Sequence, residues 1–220
     1  MKRRATLLAI VLFGLAPAAA GCVQHTPARR PALAPLSAPL ERTPTRVSIG
    51  PGVDRVDEYV FYSLVGDSLR SVDGERRAIG PENGLGGRSY GYTYTHIDYR
   101  YADLSSSEGC RPTNVRITLT VTTTMPDWRA EARAAPREQR EWDRFIGALT
   151  VHEGRHADIG VRRSLGLKDA LESTTAPDCP ALVEATRVLF DSVIGSLREE
   201  HRDYDVATHG GATEGAYLNY

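Results

Sequence analysis

The sequence is short of nearly everything that would announce a charged partner or a membrane-spanning fold. Lys and Arg number 27 against 28 Asp and Glu, so no electrostatic footprint for nucleic acid or for an acidic partner emerges. After residue 22 no apolar run is long enough to cross a bilayer. No segment repeats another. Cysteines number three, and none belongs to a Cys-x-x-Cys pair, which argues against a cysteine-held metal site.

What is present begins at the N-terminus. Lys2, Arg3 and Arg4 precede a short apolar run that ends in small residues, the layout of an export signal. Its end, Ala19-Ala20-Gly21-Cys22, resembles the lipobox of bacterial lipoproteins. That resemblance implies cleavage before Cys22, lipid on its thiol, and anchoring in the envelope. Val23 after the cysteine favours the outer membrane, with the protein facing the periplasm. Residues 23–46 carry recurrent prolines and no sustained period, which reads as an extended tether. The rest, 47–220, is the size of one domain. With Cys22 assigned to lipid, Cys110 and Cys179 are left to pair as a disulfide in an oxidising compartment. Such a bridge would stabilise the fold by about 3 to 5 kcal/mol through chain entropy.

Residues 56–66 are rich in Val, Tyr and Phe and end at Gly66, predicting a strand. A brief helix follows, with Asp67 as its expected N-cap. Residues 88–101 alternate with period two: Tyr90, Tyr92, Tyr94, His96 and Asp98 share one face, Thr93, Thr95, Ile97 and Tyr99 the other. The clearest strand runs from Asn114 to Pro126. It points Val115, Ile117, Leu119 and Val121 inward and Arg116, Thr118, Thr120 and Thr122 outward, and Pro126 is expected to end it. From Pro136 the period becomes helical, with Trp142, Phe145, Ile146, Leu149, His152, Glu153, His156 and Ile159 along one broad stripe. After a break at 173–180, a second helix is expected from about Ala181 to Arg202, its apolar side including Leu182, Val188, Leu189 and Leu197. A tail closes the chain. Strands first and helices later make an α+β domain with a small antiparallel or mixed sheet.

The long helix carries the chemistry. His152 and His156 stand at i and i+4, so their imidazoles project from one face a turn apart and can grip one zinc ion, with Glu153 beside them. This is the His-Glu-x-x-His arrangement: zinc lowers the pKa of a bound water towards about 7, and Glu153 as general base takes its proton for attack on a peptide bond. The histidines continue the apolar stripe, so they face the protein. Gly154 weakens the helix and marks, on this reading, a close approach of neighbouring backbone or ligand. Ile159 and Arg162 stand where the longer metzincin motif needs Gly and His, which excludes that subclass.

The order of these segments resembles a bacterial family of uncharacterised domains described as predicted secreted zinc-dependent proteases. The match rests on Pro126 to Trp128, Trp142, the pentad from His152 to His156, and the stretch from Tyr204-Asp205 to Gly210. It implies a zincin-like fold in which the active-site helix lies beside a sheet whose edge strand pairs with an extended peptide. It implies a zinc metallopeptidase acting within peptide chains. It also points to a histidine in the tail, His209, as third zinc ligand. Tyr204 would then serve as a catalytic hydroxyl, stabilising the oxyanion or supporting a ligand. His201 and Glu184 are the other candidates for the third ligand. Two further readings stay open: an envelope lipoprotein that binds zinc without turnover as a scaffold or binding module, and a metal-free protein whose helix merely carries the motif. Glu153 favours the enzyme, since a structural site needs four ligands and no free base. Expected partners are a peptide or protein substrate in the envelope and the membrane itself through lipid, with no nucleic acid.

Overall fold

The computed structural model describes residues 43–83 and 86–220. The export signal, Cys22 and nearly all of the tether lie outside the described residues.

Four strands, β1 (Thr45–Gly50), β2 (Val53–Leu64), β3 (Tyr92–Ser106) and β4 (Gly109–Trp128), form one mixed sheet in the order β1-β2-β4-β3. β2 and β4 run parallel, while β1 with β2 and β3 with β4 are antiparallel. Helix α1 (Leu69–Ile79) lies in the connection between β2 and β3, and α2 (Pro136–Glu172) and α3 (Cys179–Thr208) follow the sheet. The fold is therefore α+β. β1 begins at Thr45, inside the stretch expected to be tether.

β4 is central over most of its length, and its alternation sets the core. Val115, Ile117, Leu119 and Val121 are all buried, against Ala157, Leu167 and Leu171 of α2 and Phe190, Ile194 and Leu197 of α3. Thr122, expected outward, is also buried, because Glu58 of β2 lies beside it and accepts its hydroxyl at 2.9 Å. Pro126 does not end the strand. β3 leaves β4 at Thr124, so beyond that point one flank of β4 has no strand partner and a residue lacking an N–H fits while Tyr62 of β2 pairs with Pro126 on the other. A second core cluster gathers Trp128, Trp142, Phe145, Leu149, Leu64 and Val72. There the two Trp rings meet edge to face at 5.5 Å.

α1 is capped by Ser68, not Asp67. The Ser68 hydroxyl accepts from Ser71 N–H, and the Ser71 hydroxyl accepts in return from Ser68 N–H. α2 starts at Pro136, whose missing N–H is harmless in a first turn. Its close approach to the sheet is at Gly160 rather than Gly154. A Cβ on Gly160 would press on Thr95 and Leu119 at 3.0 and 3.2 Å, whereas one on Gly154 would meet nothing within 4 Å. α3 runs six residues past Arg202, because nothing in residues 203–208 breaks a helix; it stops at His209 and Gly210, both with positive φ. Its buried stripe is Leu182, Thr186, Phe190, Ile194 and Leu197, with Val188 exposed. Cys110 and Cys179 form a disulfide, tying the start of β4 to the first turn of α3.

Candidate metal centre

His152 and His156 sit mid-way along α2 and are 3 % and 5 % exposed. The rings lie edge to face, 5.0 Å apart. Opposite them α3 presents His201, Tyr204 and Asp205, a group at i, i+3 and i+4. The Oδ1 atom of Asp205 lies 3.2 Å from Nε2 of His152 and 3.0 Å from Nε2 of His156. Two imidazole nitrogens and one carboxylate oxygen thus converge within 4.8 Å of one another. Ligand atoms about 2.0–2.1 Å from a tetrahedral zinc would stand roughly 3.3 Å apart, so the group fits such an ion.

The remaining nitrogens are held from behind. Nδ1 of His152 lies 2.9 Å from Oε2 of Glu214, which also accepts the Tyr204 hydroxyl at 2.7 Å. Nδ1 of His156 lies 2.9 Å from Nδ1 of His201, whose Nε2 lies 3.0 Å from Oγ1 of Thr95 on β3. With Nε2 of His156 facing a metal, Nδ1 carries the hydrogen and donates it to His201, which donates in turn to Thr95. Such outer partners fix tautomer and ring orientation. The Tyr204 ring stacks on His152 at 4.9 Å and meets His156 edge-on at 5.0 Å. The tail is drawn in at Gly211, where φ is +84° and a Cβ would lie 2.8 Å from the His152 ring.

Glu153 is 4 % exposed, and its Oε2 has no hydrogen-bond partner among the described residues. The first residue before β3, Gly91, passes so close that any Cβ there would overlap the Glu153 carboxyl. Burial pushes the carboxyl pKa up, against the pull of the His156 and His152 charges. Burial and His156 together lower His201 to about 4, so it is neutral at ordinary pH. Asp205 is held well below the usual carboxylate range: burial opposes this, but hydrogen bonds from His152 and His156 outweigh it.

These residues line a cleft of about 750 Å³ that reaches from Asp73 and Tyr90 past Glu153 to Arg198 and Arg202. Gly91 to Ile97, at the start of the edge strand β3, form one of its walls.

Of the residues singled out in the sequence, His152, Glu153 and His156 lie together. The third place in the donor group is taken by Asp205, not by His209, His201 or Glu184. His209 is exposed and caps α3 in a left-handed conformation. His201 backs His156. Glu184 is far up α3, ion-paired to Arg187 at 2.6 Å. The Tyr204 hydroxyl donates to Glu214, the carboxylate that also lies against Nδ1 of His152. Sequence reasoning missed Asp205, Glu214 and Thr95. Only Asp205 left a trace: with α3 continued past Arg202, it falls one turn from His201 on the same face.

No curated protein and no solved structure matches the chain. A family model does match, over residues 59–211, a span that holds the His152–His156–Asp205 group and ends before Glu214. On that match the chain belongs to the family described as bacterial protein of unknown function (DUF922).

Proposed function

We propose that this chain is a zinc-dependent peptidase of the bacterial cell envelope, exported and held to the membrane by lipid on Cys22. The observation that carries the reading is the pairing of an open donor set with a free base. His152, His156 and Asp205 supply three ligands, the number of a catalytic rather than a structural zinc site. Beside them lies a buried carboxylate oxygen of Glu153 that no group among the described residues satisfies. A buried polar atom without a partner is costly, and Glu153 lines a cleft of about 750 Å³.

Zinc at this position supplies Lewis acidity, polarising a carbonyl oxygen and easing loss of a proton from water. The chain's own residues do the rest. Glu153 accepts the proton of the attacking water at its free carboxylate oxygen and hands it to the departing amine nitrogen. Burial raises its pKa, which favours a group able to hold a proton as well as release it. Glu214 and His201 hold the two ligand rings in the tautomers that leave Nε2 unprotonated towards the ion. β3 offers edge-strand backbone along the cleft beside Glu153, which supports a zincin-like arrangement with an extended peptide laid against it. Gly91, just before β3, leaves room for the Glu153 carboxyl.

The test is direct. Purified full chain, loaded with zinc, is incubated with a library of unstructured peptides and the products are read by mass spectrometry. Cleavage that requires zinc and is lost in Glu153→Gln supports the reading; zinc bound at one per chain with no cleavage of any peptide leaves a binding protein instead.

A further inference from the structure

We infer that Arg198 and Arg202 form a carboxylate-recognition site in the cleft, so that the preferred peptide carries an acidic group beside the bond to be cut. This rests on the peptidase reading for the word "cut", but the binding it describes does not.

α3 has three arginines, and their environments differ. Arg187, outside the cleft, is neutralised by Glu184 and Asp191 at 2.6 and 2.8 Å. Arg198 and Arg202 both line the cleft and are exposed to it. Arg198 makes no ion pair with any described residue, and Arg202 has only Glu199, at the limiting distance of 3.9 Å. Glu200, on the same turn, points the other way, to Arg162 and Arg163 of α2 at 2.6 and 2.8 Å. Acidic residues in the cleft wall do not answer these charges either. Asp73, at the far end, is taken by Arg76 and Arg77, while Glu153 and Asp205 belong to the metal centre. Two guanidinium groups one turn apart therefore line a shared space, with only the distant Glu199 as a carboxylate partner among the described residues.

Their placement fits a peptide. Arg202 and Arg198 precede Asp205 by three and seven residues, about 4.5 and 10 Å along the helix axis at 1.5 Å per residue. An extended chain advances about 3.3 Å per residue, so an acidic group about one to three residues from the bond at the metal comes within reach of one or both. Beside Arg198 the cleft is floored by Ile97, Phe190, Ile194 and Leu197. Such apolar walls strengthen the local field that a carboxylate meets, and the planar guanidinium fork can bind it through two hydrogen bonds. The carboxylate can come from an Asp or Glu side chain or from the free C-terminus of a short peptide.

The experiment measures binding to the zinc-loaded full chain carrying Glu153→Gln, by fluorescence anisotropy. Four acetylated peptides share one neutral core: amidated, amidated with flanking glutamates, amidated with flanking lysines, and with a free C-terminal carboxylate. The expected result is that a carboxylate-bearing peptide binds at least about tenfold more tightly than the neutral one. Glutamate against free terminus tells which source of the carboxylate the site uses. Adding R198Q/R202Q should abolish that preference and R198E/R202E should turn it towards lysine, with zinc content confirming that each variant is folded. Equal binding of all four peptides, binding of none, or an acidic preference that survives either double variant overturns the inference. Cleavage by the unsubstituted chain is scored separately: tight glutamate binding without any hydrolysis keeps this site and removes the peptidase.

Discussion

His156 and Asp205, 49 residues apart in the chain, bring Nε2 and Oδ1 to 3.0 Å across the seam between α2 and α3. His152 meets the same oxygen atom at 3.2 Å. The candidate metal-binding group is therefore shared by two helices, and each half can be tested alone.

Asp205→Ala should cost more zinc affinity than the about 10- to 100-fold typical of losing an outer partner, while His209→Ala should bind zinc as the unsubstituted chain does. Competition with a chelator of known affinity reads both. Equal losses in the two variants would return His209 to the donor set.

Glu214→Gln and His201→Ala should each lower zinc affinity by about 10- to 100-fold without abolishing binding, because each holds the back of one ligand ring. In a cobalt-substituted protein the visible spectrum should shift in both variants, a change that mere loss of stability does not produce. An unaltered spectrum and affinity would make these contacts incidental.

Gly91→Ala should retain zinc and yet lower turnover by about 10² or more, since the added methyl must displace the Glu153 carboxyl from its place. Glu153→Gln should show the same pattern. Zinc content by elemental analysis and peptide cleavage are the paired readouts, and a fully active Gly91→Ala would mean that Glu153 works from another position.

Acid should weaken the fold through Asp73. The residue is 6 % exposed, and its carboxylate receives Arg76, Arg77 and the hydroxyls of Tyr90 and Tyr220. Burial works against its ionisation, but these partners win and hold the pKa well below its ordinary 3.8. A depressed acid contributes stability above its unfolded pKa and loses it as pH falls through the folded one. Asp73→Asn should therefore be less stable at pH 7, by on the order of 2 kcal/mol, with the gap closing below about pH 3.8. Denaturant melts at a series of pH values check this; a gap independent of pH would place the effect in packing instead.

Much of this was legible where burial writes a period into the chain. Val115 to Val121 declared β4 by alternation, and Trp142 to Ile159 declared α2 by its stripe, which also placed two histidines and Glu153 on one face. Legibility failed where polar residues are used for position rather than burial. Residues 201–208 are mostly polar, so the end of α3 gave no apolar rhythm, and the helix was expected to stop near Arg202. That hid the spacing of His201 to Asp205 and left His209, beside two glycines, as the conspicuous ligand. Glu214 and Thr95 were beyond reach because their roles come from tertiary approach. One stands in a 3₁₀ turn after the Gly210–Gly211 bend and the other on a strand that alternation alone describes as one face of a sheet. Val188 misled for the opposite reason, an apolar residue on the exposed side of α3.

The Cys110–Cys179 bridge spans 69 residues, and that span takes in most of β4 and the whole of α2. A backbone cut anywhere inside it leaves two pieces still covalently joined, so every part of the histidine helix stays attached to the fold. A cut in α3 between Cys179 and His201 has no such insurance: it frees the segment bearing His201, Tyr204 and Asp205, which only non-covalent packing then retains. Resistance to nicking is thus unevenly distributed, strong around the two histidines and weak on the helix that supplies the carboxylate.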